Sequence, residues 1–158
     1  MKISKIMDMY SNKIEEHQKA MSVCPLFCGF MHMAFVVCNT NMHLFGYNHF
    51  RGTGQTIHAE ISLMKKLKKA NKNMKIDILV VRINRNGTLG MSKPCKNCIE
   101  IMNNIAHTKG YIIDKVYFSN YSGEITCLKF TDLREEKNKH VSKYFKHKEL
   151  KEWYCWAK

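Results

Sequence analysis

The amino-acid sequence predicts an α/β fold, a three-layer α-β-α arrangement in which helices cover a five-stranded mixed sheet. Three observations carry that expectation. Ile76 to Ile83 is nearly all apolar and β-branched, which suits a central strand buried on both faces. Apolar residues recur at helical spacing on either side of it, at Leu63, Met64 and Leu67 before and at Cys98, Ile101, Met102 and Ile105 after. Helices alternating with strands then imply layers sharing one core.

In chain order, Lys2 to Ala20 places Ile3, Ile6, Met7, Tyr10 and Ile14 three or four residues apart, the apolar face of a first helix. His32 to Cys38 has strand composition, Asn39-Thr40-Asn41 is turn material, and His43 to Tyr47 reads as a second strand paired back in a β-hairpin. Asn48 to Gln55, with Gly52 and Gly54, reads as a loop leading into a helix from about Ile57 to Ala70. The outer face of that helix is lysine. Asn86-Gly87 is the strongest turn signal.

Pro94 stands where the first position of a third helix would be, and Gly110 where its C-terminal cap would be. Lys115 to Ser119 and Glu124 to Phe130 are strands joined across Asn120-Tyr121-Ser122-Gly123, short enough for an antiparallel hairpin. Thr131 to Lys158 is charged and ends in Trp153-Tyr154-Cys155-Trp156, the pattern of a helical extension docking by its aromatics. The whole chain, 1–158, reads as one domain with its core over about 30–131 and an extension over 132–158.

Composition narrows the setting. The longest apolar stretch, Val23 to Cys38, is interrupted by Pro25, Gly29 and His32 and is shorter than a membrane span. Charged residues break up the first eighteen positions, so no signal-peptide core is present and the expected location is the cytoplasm. The seven cysteines read as thiols or metal ligands. Cys24, Cys28 and His32 are four apart, which raises a second metal set, but Pro25 and Gly29 favour core thiols.

The formal net charge of +13 admits a nucleic-acid or phosphate partner. Against it, 22 of the 26 basic residues are Lys, and Arg is the better bidentate phosphate reader. Lys65, Lys66, Lys68, Lys69 and Lys72 read as the solvated face of their helix.

The chemistry lies in two short segments, His58-Ala59-Glu60 and Pro94-Cys95-Lys96-Asn97-Cys98. A catalytic zinc takes three protein ligands and keeps a fourth position for water, and Cys-x-x-Cys with a distant His supplies such a set. Cys95 and Cys98 at a helix start both gain from its positive end. His58 and Glu60, two apart, would lie on opposite faces inside a helix and can share a site only beyond its N-terminus. His58 would then hold the metal while Glu60, kept off it, reaches the bound water.

With these residues in place, the sequence resembles the zinc-dependent cytidine/deoxycytidylate deaminase superfamily, whose signature is H-x-E followed by P-C-x-x-C. The resemblance runs from about Met33 to Phe130. It implies one Zn2+ per chain on His58, Cys95 and Cys98, and Glu60 carrying protons during attack on C4 of a cytosine nucleoside or nucleotide. The products would be the uracil form and ammonia. It further implies that Asn48 of Gly46-Tyr47-Asn48 contacts the sugar, that the Ala59 N–H holds the base carbonyl, and that the chain forms a homo-oligomer with a place in pyrimidine salvage.

The clues to the substrate diverge. His58 in place of a cysteine, and Asn48-His49-Phe50 without the glutamate of an Asn-x-Glu sugar clamp, resemble deoxycytidylate and transfer-RNA deaminases. The short Asn120 to Gly123 connection resembles nucleoside deaminases. Two alternatives stand beside the free-nucleotide enzyme: a deaminase of RNA or single-stranded DNA, and an inactive zinc module that binds a partner.

Overall fold

The computed structural model describes residues 8, 10–16, 19, 31–37, 44–51, 55–71 and 73–142. Residues 10–16 are helical, α1. They are followed by strands β1 (Met31–Val37), β2 (Phe45–Tyr47), β3 (His49–Arg51) and β4 (Gln55–Ile57), helix α2 (Ala59–Lys66), and strands β5 (Met74–Ile83) and β6 (Leu89–Gly90). Helix α3 (Lys96–Lys109), strands β7 (Tyr111–Ser119) and β8 (Ile125–Lys129), and the short helix α4 (Phe130–Glu135) complete the order.

The main sheet runs β2-β1-β5-β7-β8. Only β5 and β7 pair in parallel; the other neighbours are antiparallel, so the sheet is mixed and ends in the antiparallel β7–β8 hairpin, as the sequence predicts. The sixth strand is an addition of two residues, Leu89 and Gly90, which the Asn86-Gly87 turn folds back onto Ile83 and Arg82. Gly87 has φ 81°, a conformation that glycine adopts without a Cβ penalty.

Alternation along the central strands divides the interior into two cores. Ile76, Ile78 and Val80 of β5, with Ala34 and Val36 of β1, face Leu63 and Met64 of α2 and Ile101, Met102 and Ile105 of α3. Leu79, Val81 and Ile83, with Met33 and Phe35, face Tyr10 and Ile14 of α1. Tyr10 also donates its hydroxyl to the Val36 carbonyl at 2.5 Å and tilts its ring over Phe35, with centroids 4.3 Å apart. Both faces of β5 are thus covered, which is why its sequence is an unbroken apolar run.

Three local expectations shift. The loop over Asn48 to Gln55 is partly a ladder, in which His49 pairs with Ile57, Phe50 with Thr56 and Arg51 with Gln55. The glycines announce a turn, but the aromatic and β-branched residues flanking them are good strand formers. Helix α2 begins two residues later than expected, because Ile57 belongs to β4, and it stops at Lys66 rather than Ala70.

That early stop has a tertiary cause. Lys109 Nζ donates to the carbonyls of Met64 (3.1 Å), Lys65 (2.8 Å) and Leu67 (2.6 Å), satisfying acceptors that further helical turns would otherwise take. Helix α3 likewise begins at Lys96 with Cys95 as its N-cap, so Pro94 precedes the helix instead of opening it. Its end is as expected, with Gly110 in the left-handed conformation at φ 76°. Cys24, Cys28, the start of the second strand at His43 and the aromatic end Trp153 to Trp156 lie outside the described residues.

One close approach sets the height of α2 above the sheet. A Cβ on Gly46 would stand 2.3 Å from the Leu63 nitrogen and 2.5 Å from the Ala59 carbonyl oxygen. Its cross-strand neighbour in β1 is the small Ala34. Gly46→Ala should therefore cost ~1–3 kcal/mol or more by overpacking and tilt the start of α2. Urea unfolding with a zinc assay on the same sample should show lower stability together with reduced metal content.

Candidate active site

Two helix starts build the site. β4 delivers the chain to His58, which is extended (φ −71°, ψ 151°) as the N-cap of α2, and Glu60 is the second residue of the helix. Cys95, also extended, is the N-cap of α3, and Cys98 lies in its first turn. The segment before Cys95 is fixed by a buried serine pair. Ser92 Oγ donates to the Val80 carbonyl at 2.7 Å and accepts the Ser119 N–H at 2.8 Å, while the Ser92 N–H donates to the Ser119 carbonyl at 2.9 Å.

His58 Nδ1 lies 3.2 Å from Cys98 Sγ and 3.7 Å from Cys95 Sγ, and one ligand atom from each of the three residues falls within 4.8 Å of the others. A tetrahedral zinc with ordinary Zn–S and Zn–N bonds sets its ligand atoms about 3.5–3.8 Å apart. One imidazole and two thiols, borderline-soft donors at that spacing, fit zinc in a three-ligand centre. Cys95, Cys98 and Glu60 are all buried.

Proton affinities in the cluster are displaced strongly. The hydrogen bond with Cys98, then that with His58, draws the Cys95 thiol down to about 4. Burial, reinforced by its bond to Cys95 and that sulfur's charge, pushes Cys98 well up. Burial alone would lower His58, but its hydrogen bond with Cys95 and the charges of Glu60 and Cys95 hold it above its usual value. Burial raises Glu60. A carboxyl shielded in this way holds its proton more readily than one in water.

His58, Glu60 and Cys95 open onto a cavity of about 600 Å³, with Cys98 buried behind them. Asn48 and Ala59 line it. Asn48 Oδ1 accepts the His32 N–H at 2.8 Å, and the Asn48 N–H donates to the His32 carbonyl at 3.1 Å, so this side chain also fastens β1 to the loop. Ala59 is the first residue of α2, where an N–H has no intrahelical acceptor.

The cavity also contains groups that motif reading did not single out as site residues. His32, considered above with two cysteines that lie outside the described residues, lines this cavity; burial, then Arg82, lowers it to about 4, so it stands there as a neutral imidazole. Arg82 lines the wall, and Tyr121, 87% exposed, stands at the β7–β8 turn beside it. Glu136, Lys139, His140 and Ser142 come from the segment after α4. That segment is tied to the start of α3, where the Lys96 N–H donates to the His140 carbonyl at 2.9 Å. No local pattern marks these residues, because a charged stretch reads the same whether it lies on solvent or on a cavity.

A layered α/β domain with His-Cys-Cys and an adjacent buried glutamate at two converging helix starts has the makings of a mononuclear metal centre. Residues 5–114 match the family described as the cytidine and deoxycytidylate deaminase zinc-binding region. The chain belongs to that family. No curated protein matches it. Among similar solved structures is the deoxycytidylate deaminase of cyanophage S-TIM5 in apo form, at 19% identity over 85% of this chain and 93% of that one, TM-score 0.47. Another is the cytidine deaminase of Mycobacterium leprae, at 18% identity over 78% and 93%, TM-score 0.47. No helix among the described residues is long and apolar enough to cross a membrane.

Because His58, Cys95 and Cys98 belong to the starts of two separate helices, a metal held by them should stabilise the fold by mass action. At free zinc a thousandfold above Kd the gain is about 4 kcal/mol. A chelator should lower the melting temperature of the wild type and leave Cys98→Ser, already metal-poor, nearly unmoved. Calorimetry with elemental analysis reads both.

Proposed function

We propose that the protein is a zinc-dependent hydrolytic deaminase of a cytosine nucleoside or nucleotide, forming the uracil derivative and ammonia. The observation that carries this reading is Glu60, a buried carboxyl beside His58, Cys95 and Cys98 but outside the ligand set. A purely structural zinc centre has no use for such a group.

His58, Cys95 and Cys98 would hold the metal, and zinc in a three-ligand centre makes water ionisable near neutral pH and positions it for attack. Glu60 accepts the proton released from water and delivers it to the departing amine at C4. The oxygen of water stays on the ring, the C–N bond breaks, and ammonia leaves. The Ala59 N–H, at the positive end of α2, holds the base carbonyl. Asn48, fastened to His32, takes the sugar side.

A second reading rests on Tyr121. An exposed aromatic at the mouth of a deaminase cavity offers a stacking platform for a neighbouring base of single-stranded nucleic acid. Steeply salt-dependent oligonucleotide binding would favour it.

The deciding assay incubates zinc-loaded protein with cytidine, deoxycytidine, their monophosphates and a cytosine-containing oligonucleotide, and follows uracil and ammonia. Turnover of a free compound supports the main reading; turnover of the oligonucleotide alone selects the second. Glu60→Gln should lower kcat by at least about 10²–10⁴-fold with zinc content unchanged. Equal activity in wild type and Glu60→Gln would remove Glu60 from the reaction.

A further inference from the structure

Two shielded polar atoms of the cavity wall lie beyond the stretch that matches the family. Glu136 Oε1 accepts from Lys93 Nζ at 2.5 Å. Its other oxygen, Oε2, is buried and accepts from no group among the described residues. Ser142 Oγ is buried and unpartnered in the same sense. Both residues line the cavity that contains His58, Glu60 and Cys95, on a segment held to α3 through His140.

A shielded carboxylate oxygen without a donor is costly, more so than a neutral group. Lys93 fixes the other oxygen and so fixes the direction in which Oε2 points. The arrangement therefore favours a ligand that brings a hydrogen-bond donor to this wall.

We propose that Glu136 Oε2, with Ser142 Oγ, binds a sugar hydroxyl of the substrate and so selects for the sugar. The proposal rests on the deaminase reading given above. A nucleoside offers two kinds of donor, the exocyclic amine and the sugar hydroxyls. The amine must face Glu60 and the metal ligands, which leaves the hydroxyls for Glu136. A phosphate, itself an acceptor and negatively charged, is repelled from a carboxylate oxygen. Among the described residues Glu60 and Glu136 are the carboxylates lining the cavity, and Glu60 is occupied with the proton. The sugar side would thus be read by a segment that follows the matched region, 5–114.

The test compares cytidine, deoxycytidine and 2′,3′-dideoxycytidine, each as nucleoside and 5′-monophosphate, on the zinc-loaded full chain and its Glu136→Gln, Glu136→Ala and Ser142→Ala variants. In the wild type, removing the hydroxyls should lower kcat/KM roughly ten- to hundredfold, the worth of a hydrogen bond to a charged group. In Glu136→Ala the ratio between hydroxylated and dideoxy substrates should fall toward one, the hydroxylated substrates losing more than the dideoxy ones.

Equal losses on every substrate, or an unaltered ratio, would overturn the proposal, since a merely structural glutamate does not sense which hydroxyl is present. Should the Glu136 variants fail to fold, as judged by thermal unfolding and zinc content, Ser142→Ala carries the same comparison. If the wild type turns over none of these compounds, the free-nucleoside and nucleotide reading fails, and calorimetric titration with the same series decides the proposal separately. Binding that depends on the hydroxyls and is lost with Glu136 upholds it; no binding, or binding indifferent to them, overturns it.

Discussion

Helix α2 rests on the sheet through its own backbone. At Gly46 the chain of β2 comes so near to Ala59 and Leu63 that no side chain fits between them, and Ala34 beside it in β1 keeps the seat shallow. The depth of that seat sets where α2 begins, and with it the position of His58 and Glu60. The serine pair Ser92 and Ser119 performs the matching service for α3 by holding the approach to Cys95 against β5 and β7. The geometry of the His-Cys-Cys cluster is thus a consequence of two backbone placements, each made several residues away from it.

The two helices start together and end together. Their first turns meet at His58, Cys95 and Cys98, while at the other end Lys109 of α3 reaches the last carbonyls of α2. Two helices running side by side in the same direction bring like ends together, which their dipoles resist. The charges at each end answer this. Thiol and carboxyl groups that can carry negative charge sit at the two positive ends, and a lysine cation sits at the negative one. At the first end three acids, Cys95, Cys98 and Glu60, share a buried space with one imidazole, so ionising all three together without a compensating cation is costly. Burial first lifts Cys98 and Glu60, while the hydrogen bonds with Cys98 and His58 draw Cys95 down.

What the sequence disclosed and what it hid divide along chain distance. The double-sided burial of β5, the Asn86-Gly87 turn, the β7–β8 hairpin and the cap at Gly110 follow from residues within a few positions of one another, and periodicity and turn chemistry are sufficient there. The two motifs are visible for the same reason, since His58 with Glu60 and Cys95 with Cys98 are local spacings. Their meeting in space is not local; it comes from the resemblance and from the structure. Gly46 stands in the sequence as part of a Gly-Tyr-Asn loop, and only the packing of α2 explains why a glycine is there. The early end of α2 depends on Lys109, more than forty residues away in the chain. Glu136 and Ser142 belong to a charged stretch whose composition says solvent, although the chain brings it back over the cavity.

The same comparison alters what the charge of +13 implies. Lys66 lies on the outer face of α2, which the sequence presents as a solvated stripe, yet its ammonium donates to the Phe45 carbonyl at 2.9 Å and stands 5.0 Å from the Phe45 ring and 5.4 Å from the Tyr47 ring. Lys109 closes the end of a helix, and Lys93 is paired with Glu136 and lies over Phe118. Each of these cations has work within the fold that a polyanion would have to displace. Net charge counts them fully, whereas the field available to a ligand does not. Near the cavity the balance is mixed, with Arg82, Lys93 and Lys139 set against Glu60 and Glu136. A wall of both signs suits a small ligand that presents donors and acceptors in a fixed order better than a uniformly charged strand.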